Sequence, residues 1–146
     1  MESKAVVPIE EGYLLEEQVG YLLRIANQRH ATIFQSHAIN GLTPTQFSAL
    51  LRLSQHGECS QNQLGRYSAM DVATIKGVVD RLRQKGLVQT EPFQNDKRRN
   101  LISLTPEGAA IIDTLQTAGR EITRETLRPL SASERRKFIA LLKKLT

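Results

Sequence analysis

The signals for helix starts between residues 42 and 105 restrict the fold of this chain more than any other feature. The segments Thr43-Pro44-Thr45-Gln46 and Ser60-Gln61-Asn62-Gln63 each place a hydroxyl side chain three residues before a glutamine, which is the pattern of a capping box. A third helix is expected over residues 71–85, with either Ser68 or Asp71 as its N-cap. It ends at Gly86, a residue suited to the left-handed conformation that closes many helices. This region is therefore predicted to form a helix, a short helix and a longer helix.

The hydrophobic period changes after the third helix. Residues 87–93 and 99–104 have the character of two short strands, and Gln94-Asn95-Asp96-Lys97 joins them. Pro92 requires an edge position, because proline cannot donate a hydrogen bond to a sheet. The order of three helices and a hairpin predicts a winged helix-turn-helix over residues 42–105. The fold class is mainly α with a small β-hairpin wing.

Apolar helices flank this unit on both sides. Residues 13–36 place apolar side chains mainly along one stripe, and two further helices are expected over 106–127 and 133–145. The segment Ser131-Ala132-Ser133-Glu134 before the last helix again has the pattern of a capping box. They are too long and too apolar to serve only as a cover for a small winged unit. They form either a bundle within one chain or an interface with a second chain. We predict a tail of residues 1–12, a helical dimerisation region of residues 13–41 and 106–146, and the winged unit between them.

The charge of the chain is distributed unevenly. The net charge is +5, of which residues 1–59 contribute −2, residues 60–104 contribute +4 and residues 105–146 contribute +3. A positive excess around a predicted helix-turn-helix and wing favours duplex DNA as a partner. RNA is disfavoured, because the basic region lacks the aromatic side chains on which unpaired bases stack.

Several function classes lack the residues that they require. The single cysteine, Cys59, cannot form an internal disulfide, and no set of Cys and His has the spacing of a metal site. We find no glycine-rich phosphate loop and no nucleophile motif, so we expect neither an enzyme nor a bound cofactor. No apolar run approaches the length of a membrane span, and the acidic first residues do not resemble a signal peptide. We therefore expect a soluble, cytoplasmic protein.

The third helix carries the main candidates for reading DNA, because the second helix of a helix-turn-helix lies in the major groove. Four apolar residues repeat at helical spacing and are expected to face the core. The opposite face and the start of the short helix then present the candidates for DNA contact: Ser60, Gln61, Val72, Ala73, Thr74, Lys76, Gly77 and Arg81. Thr74 and Lys76 can hydrogen-bond base edges or phosphates, and Val72 or Ala73 can touch a thymine methyl. The alternative interpretation is an ordinary solvated helix face.

The tip of the hairpin adds Asp96, Lys97, Arg98 and Arg99 as candidates. Long cationic side chains at a wing can reach the minor groove beside the recognition helix. Asp96 lies two residues before Arg98 and can pair with its guanidinium group to set its direction. The alternative is a solvent-exposed turn with a weak ion pair, in a winged-helix module that binds protein rather than DNA.

The chain resembles the MarR (multiple antibiotic resistance regulator) family over residues 13–146. The resemblance rests on the order of several short motifs, namely Leu42-Thr43 with Gln46, Leu64-Gly65, Thr74-Ile75, Val79-Asp80-Arg81-Leu82, Gly86-Leu87-Val88, Asp96-x-Arg98, and Leu104-Thr105-Pro106-Glu107-Gly108. Two features depart from it. Val72 and Gly77 stand where many relatives carry basic residues, and Cys59 lies away from the first helix, where peroxide sensors of the family place a reactive cysteine. We interpret Cys59 as a small buried or half-buried side chain.

The resemblance implies a homodimeric transcriptional repressor that binds pseudo-palindromic duplex DNA. It also implies a small aromatic acid as effector, bound between the dimerisation helices and the winged unit. The segment Asn27-Gln28-Arg29-His30 is most similar to a subgroup linked to aromatic-acid catabolism. The candidates for holding a carboxylate and a ring are Arg24, Arg29, His30, Phe34, His37 and Phe47. His30 and His37 can equally be interface or surface histidines.

Overall fold

A computed structural model of the chain describes the backbone of residues 1–94 and 96–146 and the side chains of residues 1–94 and 100–146. Its helices and strands follow the order α1 (Val19–Ser36), α2 (Pro44–His56), β1 (Cys59–Ser60), α3 (Gln61–Tyr67), α4 (Val72–Gln84), β2 (Val88–Phe93), β3 (Asp96–Leu104), α5 (Pro106–Ala110), α6 (Ile112–Thr126) and α7 (Ala132–Lys143). This order confirms the predicted winged helix-turn-helix and its flanking helices.

Polar caps set the starts of the helices, as predicted. Thr43, Ser60 and Ser131 each accept a hydrogen bond from the backbone N–H three residues later and complete a capping box. Asp71, rather than Ser68, caps α4 and accepts from the Thr74 N–H at 2.7 Å. Gly86 follows the end of α4 with a φ of 74°, in the left-handed region expected for it.

The sheet is antiparallel and has the strand order β1-β3-β2. Pro92 therefore lies on an edge strand, as predicted, and the register shifts between Pro92 and Phe93. The strand β1 was not predicted, since two residues are too few to show a period. It pairs Cys59 with Ile102 and Ser60 with Leu101, which ties the start of α3 to the wing.

Three predicted boundaries were wrong. The first helix begins at Val19 instead of Tyr13, because Gln18 is extended and only a single 3-10 turn, Leu15–Glu17, precedes it. The helix predicted over 106–127 is two helices that meet at Ile111, since α5 packs on the backbone of Leu87 while α6 packs in the core. The second strand of the hairpin begins at Asp96, so Asp96 and Lys97 belong to β3 rather than to the connection.

One core joins the winged unit to α6. Its largest fully buried side chains come from α2, α3, α4, β3 and α6, and they are Leu50, Leu53, Leu64, Ile75, Val79, Leu82, Ile102 and Leu115. The apolar side of α6 thus finds most of its partners within the same chain. The structure also contains no described helix that is long and apolar enough to cross a membrane.

Helix α7 and the first turns of α1 are less buried than α6. No residue of α7 is buried, and its Phe138, Ile139 and Leu141 are 41%, 37% and 53% exposed. The first turns of α1 likewise leave Val19 and Leu22 at 64% and 49% exposure. Two apolar helix faces therefore remain without partners among the described residues.

Candidate nucleic-acid interface

Helix α4 has one buried side and one open side. Ile75, Val78, Val79 and Leu82 are buried in the core. The opposite side holds the predicted contacts Val72, Ala73, Thr74, Lys76, Gly77 and Arg81, all of which are exposed. Val72 is 69% exposed, so its methyl groups are available for contact at the open face. A surface of small, apolar and cationic side chains fits the floor of the major groove, where methyl groups and hydrogen-bonding edges alternate.

The cap of α4 also fixes the electrostatics of its first turn. The Thr74 backbone N–H donates to the Asp71 carboxylate, and hydrogen bonding from Thr74 holds the pKa of that carboxyl below its usual range. The negative charge therefore stays at the positive end of the helix, where it satisfies an unpaired N–H. This cap leaves the side chains of Val72, Ala73 and Lys76 free to point outward.

The start of α3 lies beside the wing. Ser60 and Gln61 are half-buried, and the Ser60 backbone N–H donates to the Gln63 side chain at 3.0 Å. These residues line a groove of about 590 Å³ together with Arg66, Phe93 and Asn100. A polar groove between helix and wing provides hydroxyl, amide and guanidinium groups that suit a phosphate backbone.

A second groove, between α2 and α4, was not predicted from the sequence. Thr43 and Thr45 line it from the start of α2, opposite Thr74, Gly77 and Arg81 of α4, and its volume is about 300 Å³. Thr45 gives no signal beyond its place in a capping box, because only the packing of α2 on α4 brings it to this surface. Its hydroxyl group lies 3.2 Å from that of Thr43.

Lys85 fixes the end of α4 against the turn before α2. Its ammonium group donates to the Gly41 carbonyl at 2.6 Å and to the Gln46 side-chain oxygen at 3.3 Å. Gln46 is 3% exposed, and the same oxygen accepts from the Thr43 N–H at 3.2 Å. A buried amide is thereby satisfied by two donors, which stabilises the angle between α2 and α4. Lys85 was not among the predicted functional residues.

The predicted contacts at the tip of the wing, Asp96, Lys97, Arg98 and Arg99, have side chains outside the described residues. Their backbone belongs to β3, which pairs with β2. The roles assigned to these four residues stay predictions.

Three of the predicted effector residues converge on the end of α6. Arg29 donates to the backbone carbonyls of Glu125, at 3.0 Å, and Thr126. The Nδ1 atom of His30 lies 2.9 Å from the Thr126 hydroxyl, and the Nε2 atom of His37 lies 2.9 Å from a Glu125 carboxylate oxygen. A cationic and hydrogen-bonding cluster thus joins α1 to the C-terminal turn of α6.

The other effector candidates lie on either side of this cluster. Phe34 is 5% exposed and packs edge-to-face on Phe47, with ring centroids 5.6 Å apart. A Cβ atom at Gly119 would come within 3.1 Å of the Phe47 ring, so α6 approaches this pair closely. Arg24 stands apart, with its guanidinium carbon 5.5 Å from the centre of the Tyr21 ring.

Cys59 is 5% exposed and lies in the same core as Ile102. Burial raises the pKa of its thiol, which disfavours the reactive thiolate. The prediction that Cys59 is a small buried side chain is confirmed.

Comparison with known proteins gives one consistent result. The model of the MarR family matches residues 42–99. The chain is 42% identical to the HTH-type transcriptional repressor NicR of Pseudomonas putida over 134 residues, which cover 91% of this chain and 85% of NicR. A crystal structure of a probable transcriptional regulator from Pseudomonas aeruginosa is 50% identical, covers 91% of this chain and all of that chain, and has a TM-score of 0.88. The structure of Bordetella bronchiseptica BpsR, whose DNA binding is regulated by 6-hydroxynicotinic acid, is 37% identical, covers 91% and 96% of the two chains, and has a TM-score of 0.85.

Proposed function

The chain belongs to the MarR family of transcriptional regulators, and from this premise we propose that it is a homodimeric repressor that binds duplex operator DNA and releases it when a small aromatic acid binds. The observation that carries the proposal is the open face of α4, where six exposed residues lie opposite a buried side and three of them, Thr74, Lys76 and Arg81, can hydrogen-bond bases or phosphates. Members of the family are regulators rather than enzymes, and no catalytic step is part of the proposal. The location that we propose is the cytoplasm, with the DNA.

DNA is bound in two ways. We assign base contacts to Thr74 and Lys76, because the first turns of a recognition helix lie deepest in the major groove. Val72 and Ala73 provide apolar contacts for thymine methyl groups. Ser60, Gln61 and Arg81 bind phosphates, and the wing with Arg98 enters the adjacent minor groove.

The dimer places two recognition helices on one face of the duplex. The exposed apolar sides of α1 and α7 are the surfaces that a second chain covers, since an isolated chain would leave them in water. A two-fold dimer presents α4 and its copy to half-sites about 34 Å apart, one turn of the double helix. The predicted dimerisation region was residues 13–41 and 106–146. Within it we assign the contacts with the second chain mainly to α1 and α7, because α6 also belongs to the core of the winged unit.

The effector binds where α1 meets α6. Arg29 provides positive charge and His30 and His37 provide hydrogen bonds for a carboxylate, and the Phe34–Phe47 pair provides an aromatic wall. Phe34 is buried against the core, so the ring of the effector meets mainly the half-buried Phe47. Arg24 contacts the Tyr21 ring instead of this cluster, so we assign it the smallest part in effector binding.

The acid competes with groups that already occupy these side chains. A ligand carboxylate takes the place of the Glu125 carboxylate at His37 and of the α6 carbonyls at Arg29. The contact between α1 and α6 changes as a result, and with it the spacing of the two recognition helices. By linkage, the acid weakens DNA binding by the same factor as DNA weakens binding of the acid. The corresponding coupling free energy is typically about 1–3 kcal/mol.

The experiment that tests DNA recognition is fluorescence anisotropy with duplex DNA from upstream of the gene, compared with a scrambled duplex across a salt series. We expect specific binding with a steep negative salt dependence. Thr74→Ala and Arg98→Ala should each weaken operator binding by about tenfold or more, since a specific contact contributes about 1–3 kcal/mol. Lys144→Ala removes one exposed cation beyond α7 and serves as the matched control with unchanged affinity. Equal, weak binding to both duplexes, unaffected by Arg98→Ala, would favour a protein-binding module instead.

The effector test adds 6-hydroxynicotinic acid to the preformed protein–DNA complex, with benzoic acid and nicotinamide for comparison. Release by the hydroxylated acid but not by the neutral amide supports carboxylate recognition. Arg29→Ala and His37→Ala should abolish the release while operator affinity without the acid stays within a few-fold of the wild type. Release that is unchanged in both variants would place the effector elsewhere.

A further inference from the structure

Lys85 connects the end of α4 to the turn between α1 and α2, two parts of the chain that lie 44 positions apart in sequence. It is the C-cap residue of α4. Its ammonium group donates to the Gly41 carbonyl at 2.6 Å and to the side-chain oxygen of Gln46 at 3.3 Å. A charged donor makes a short and comparatively strong hydrogen bond to a carbonyl. The bond therefore fixes the distance between the turn and the last residue of α4.

The same turn begins at the proposed effector site. His37 is the C-cap residue of α1, and its Nε2 atom lies 2.9 Å from the Glu125 carboxylate of α6. Between His37 and Gly41, the turn is anchored in the core by Ile39, which is 5% exposed. The Ile39 carbonyl accepts from the N–H of Leu42, which is 6% exposed, at 2.8 Å. A change at His37 therefore meets few freely moving residues before it reaches Gly41.

Helix α4 extends from this contact to the proposed DNA face. Its 13 residues form one helix of about 20 Å. Thr74 and Lys76 lie in its first turns, and Lys85 directly follows its last residue. A helix of this length moves as a rigid element, so a shift imposed at its end also moves the side chains at its start.

The fold does not need the Lys85 bonds to satisfy buried groups. The side-chain oxygen of Gln46 also accepts from the Thr43 N–H at 3.2 Å. Gly41 is exposed, so its carbonyl can bind water when the ammonium group is absent. A cation at the end of a helix is also favoured by the helix dipole, but that effect requires no particular partner. The two bonds thus determine a geometry more than they stabilise the chain.

We infer that Lys85 is the positioning residue that couples binding of the acid at His37 to the position of α4. When the acid displaces Glu125 from His37, the turn shifts, and the bond from Lys85 to Gly41 carries the shift to the DNA-binding helix. The inference rests on the effector site and the DNA face of the proposed function and adds the residue that connects them.

The test compares the wild type with Lys85→Met, which removes the donor and keeps most of the length of the side chain. Fluorescence anisotropy measures the operator dissociation constant with and without saturating 6-hydroxynicotinic acid. In the wild type we expect the acid to raise this constant by about 5–150-fold, the usual range for coupled sites. In Lys85→Met we expect a factor of about threefold or less, because the connection between the two sites is broken.

A purely structural role of Lys85 would change binding at one site, not the coupling between the sites. Isothermal titration calorimetry measures the affinity for the acid in the free protein and in the operator complex. In Lys85→Met, the affinity of the free protein for the acid and its affinity for the operator without acid should both stay within a few-fold of the wild type. By linkage, the acid affinities of the free and the bound variant should then differ by the same reduced factor.

Two variants serve as matched controls. Lys85→Arg keeps a cationic donor at the turn and should retain most of the wild-type factor. Arg83→Met removes a cation from the last turn of the same helix, where Arg83 bonds to Asp80 and Thr90 rather than to the turn. It should leave the factor unchanged. Thermal unfolding verifies that all three variants fold.

Amide hydrogen exchange locates the coupling without relying on a variant alone. In the wild type, the acid should change exchange in residues 37–43 and in the last turn of α4, since the bond from Lys85 joins them. In Lys85→Met, the change in residues 37–43 should remain and the change in α4 should disappear. A wild-type protein in which the acid leaves exchange in α4 unaltered would contradict the inference.

The outcomes separate the inference from the proposed function. A wild-type protein that binds its operator and keeps it at saturating acid overturns the effector proposal and the inference together. Release of the wild type with the same factor in Lys85→Met overturns only the inference. A Lys85→Met protein with weakened operator binding in the absence of acid and a salt slope reduced by about one also overturns it, because Lys85 is then a phosphate contact. Loss of acid affinity in the free variant overturns it as well, since Lys85 then supports the effector site itself.

Discussion

Replacing Gly108 by alanine adds one methyl group where α5 crosses the backbone of Leu87. A Cβ atom at this position would overlap the Leu87 carbonyl oxygen and lie 3.0 Å from the carbonyl carbon. Both atoms belong to the backbone at the start of the wing, so no side-chain rotation relieves the overlap. Either α5 or the chain around Leu87 has to move.

The loss of stability in Gly108→Ala follows from the hydrogen bonds that this movement breaks. The Thr105 N–H donates to the Leu87 carbonyl at 3.1 Å, and the Thr105 hydroxyl donates to the Gly86 carbonyl at 2.6 Å. Each such hydrogen bond contributes about 1 kcal/mol, and an overpacked methyl group costs about 1–3 kcal/mol. Alanine returns about 1 kcal/mol through its higher helix propensity. We expect Gly108→Ala to destabilise the fold by about 3 kcal/mol.

The assay is urea and thermal unfolding followed by circular dichroism at one protein concentration, because the stability of a dimer depends on concentration. For a chain of this size, about 3 kcal/mol corresponds to a decrease in Tm of about 6–12 °C. The matched control is Gly77→Ala on α4, where a Cβ atom would meet nothing within 4 Å. There the same substitution should raise stability by up to about 1 kcal/mol.

The two substitutions should therefore have opposite signs. A Gly108→Ala protein with the Tm of the wild type would refute the contact-based reasoning, because it would mean that α5 can retreat from Leu87 at no cost. Equal decreases for both variants would show that the loss arises from the amino-acid change itself and not from its surroundings.

Three further predictions concern capping, reactivity and packing. Asp71→Ala should lower Tm at neutral pH, because it removes the cap of α4. The folded-state pKa of Asp71 is depressed, so the stabilisation by its carboxylate is present above the unfolded-state pKa and disappears as the pH falls through the folded-state pKa. Asp71→Asn should keep the cap without this pH dependence. The Cys59 thiol, buried and with a raised pKa, should react with a disulfide reagent only as fast as the native protein opens, and urea should accelerate the reaction; rapid labelling of the native protein would contradict its burial. Leu115→Ala, at a fully buried site, should lower the free energy of unfolding by about 2–5 kcal/mol. Leu141→Ala, at a 53% exposed site, should leave the stability of the single chain nearly unchanged. It should weaken dimerisation, which sedimentation can measure.

The parts of the fold that sequence reasoning predicted well are those determined by neighbouring residues. Thr43, Ser60 and Ser131 cap helices through side chains three positions away, and each was identified from that spacing. The division between α5 and α6 depends instead on where Leu87 lies relative to Gly108, a contact between residues distant in sequence. The two residues of β1 become a strand only because β3 lies beside them.

The same distinction between local and long-range contacts applies to the candidate DNA and effector sites. Helical period alone separated the buried Ile75 from the exposed Thr74 on α4, so the exposed face of α4 was predictable. The period of α1 placed Phe34 near His30 and His37 but did not determine whether its ring lines a cavity or fills the core, and the structure shows it buried. The groove at Thr45 and the bond from Lys85 to Gly41 depend on the angle between α2 and α4, for which the sequence carries no local signal.

The turn between α1 and α2 is short and tightly constrained. Ala38, Asn40 and Gly41 have φ values of 45°, 48° and 66°, so the chain reverses within a few residues that have little room to stretch. Lys85, at the end of α4, donates a hydrogen bond to the Gly41 carbonyl of this turn. Helix α1 is about 27 Å long, so a rotation of about 5° at the turn moves its far end by about 2 Å. A small tilt at the turn thus becomes a displacement of more than half the rise of one base pair, about 3.4 Å. We expect a displacement of this size to change how the dimer fits its operator.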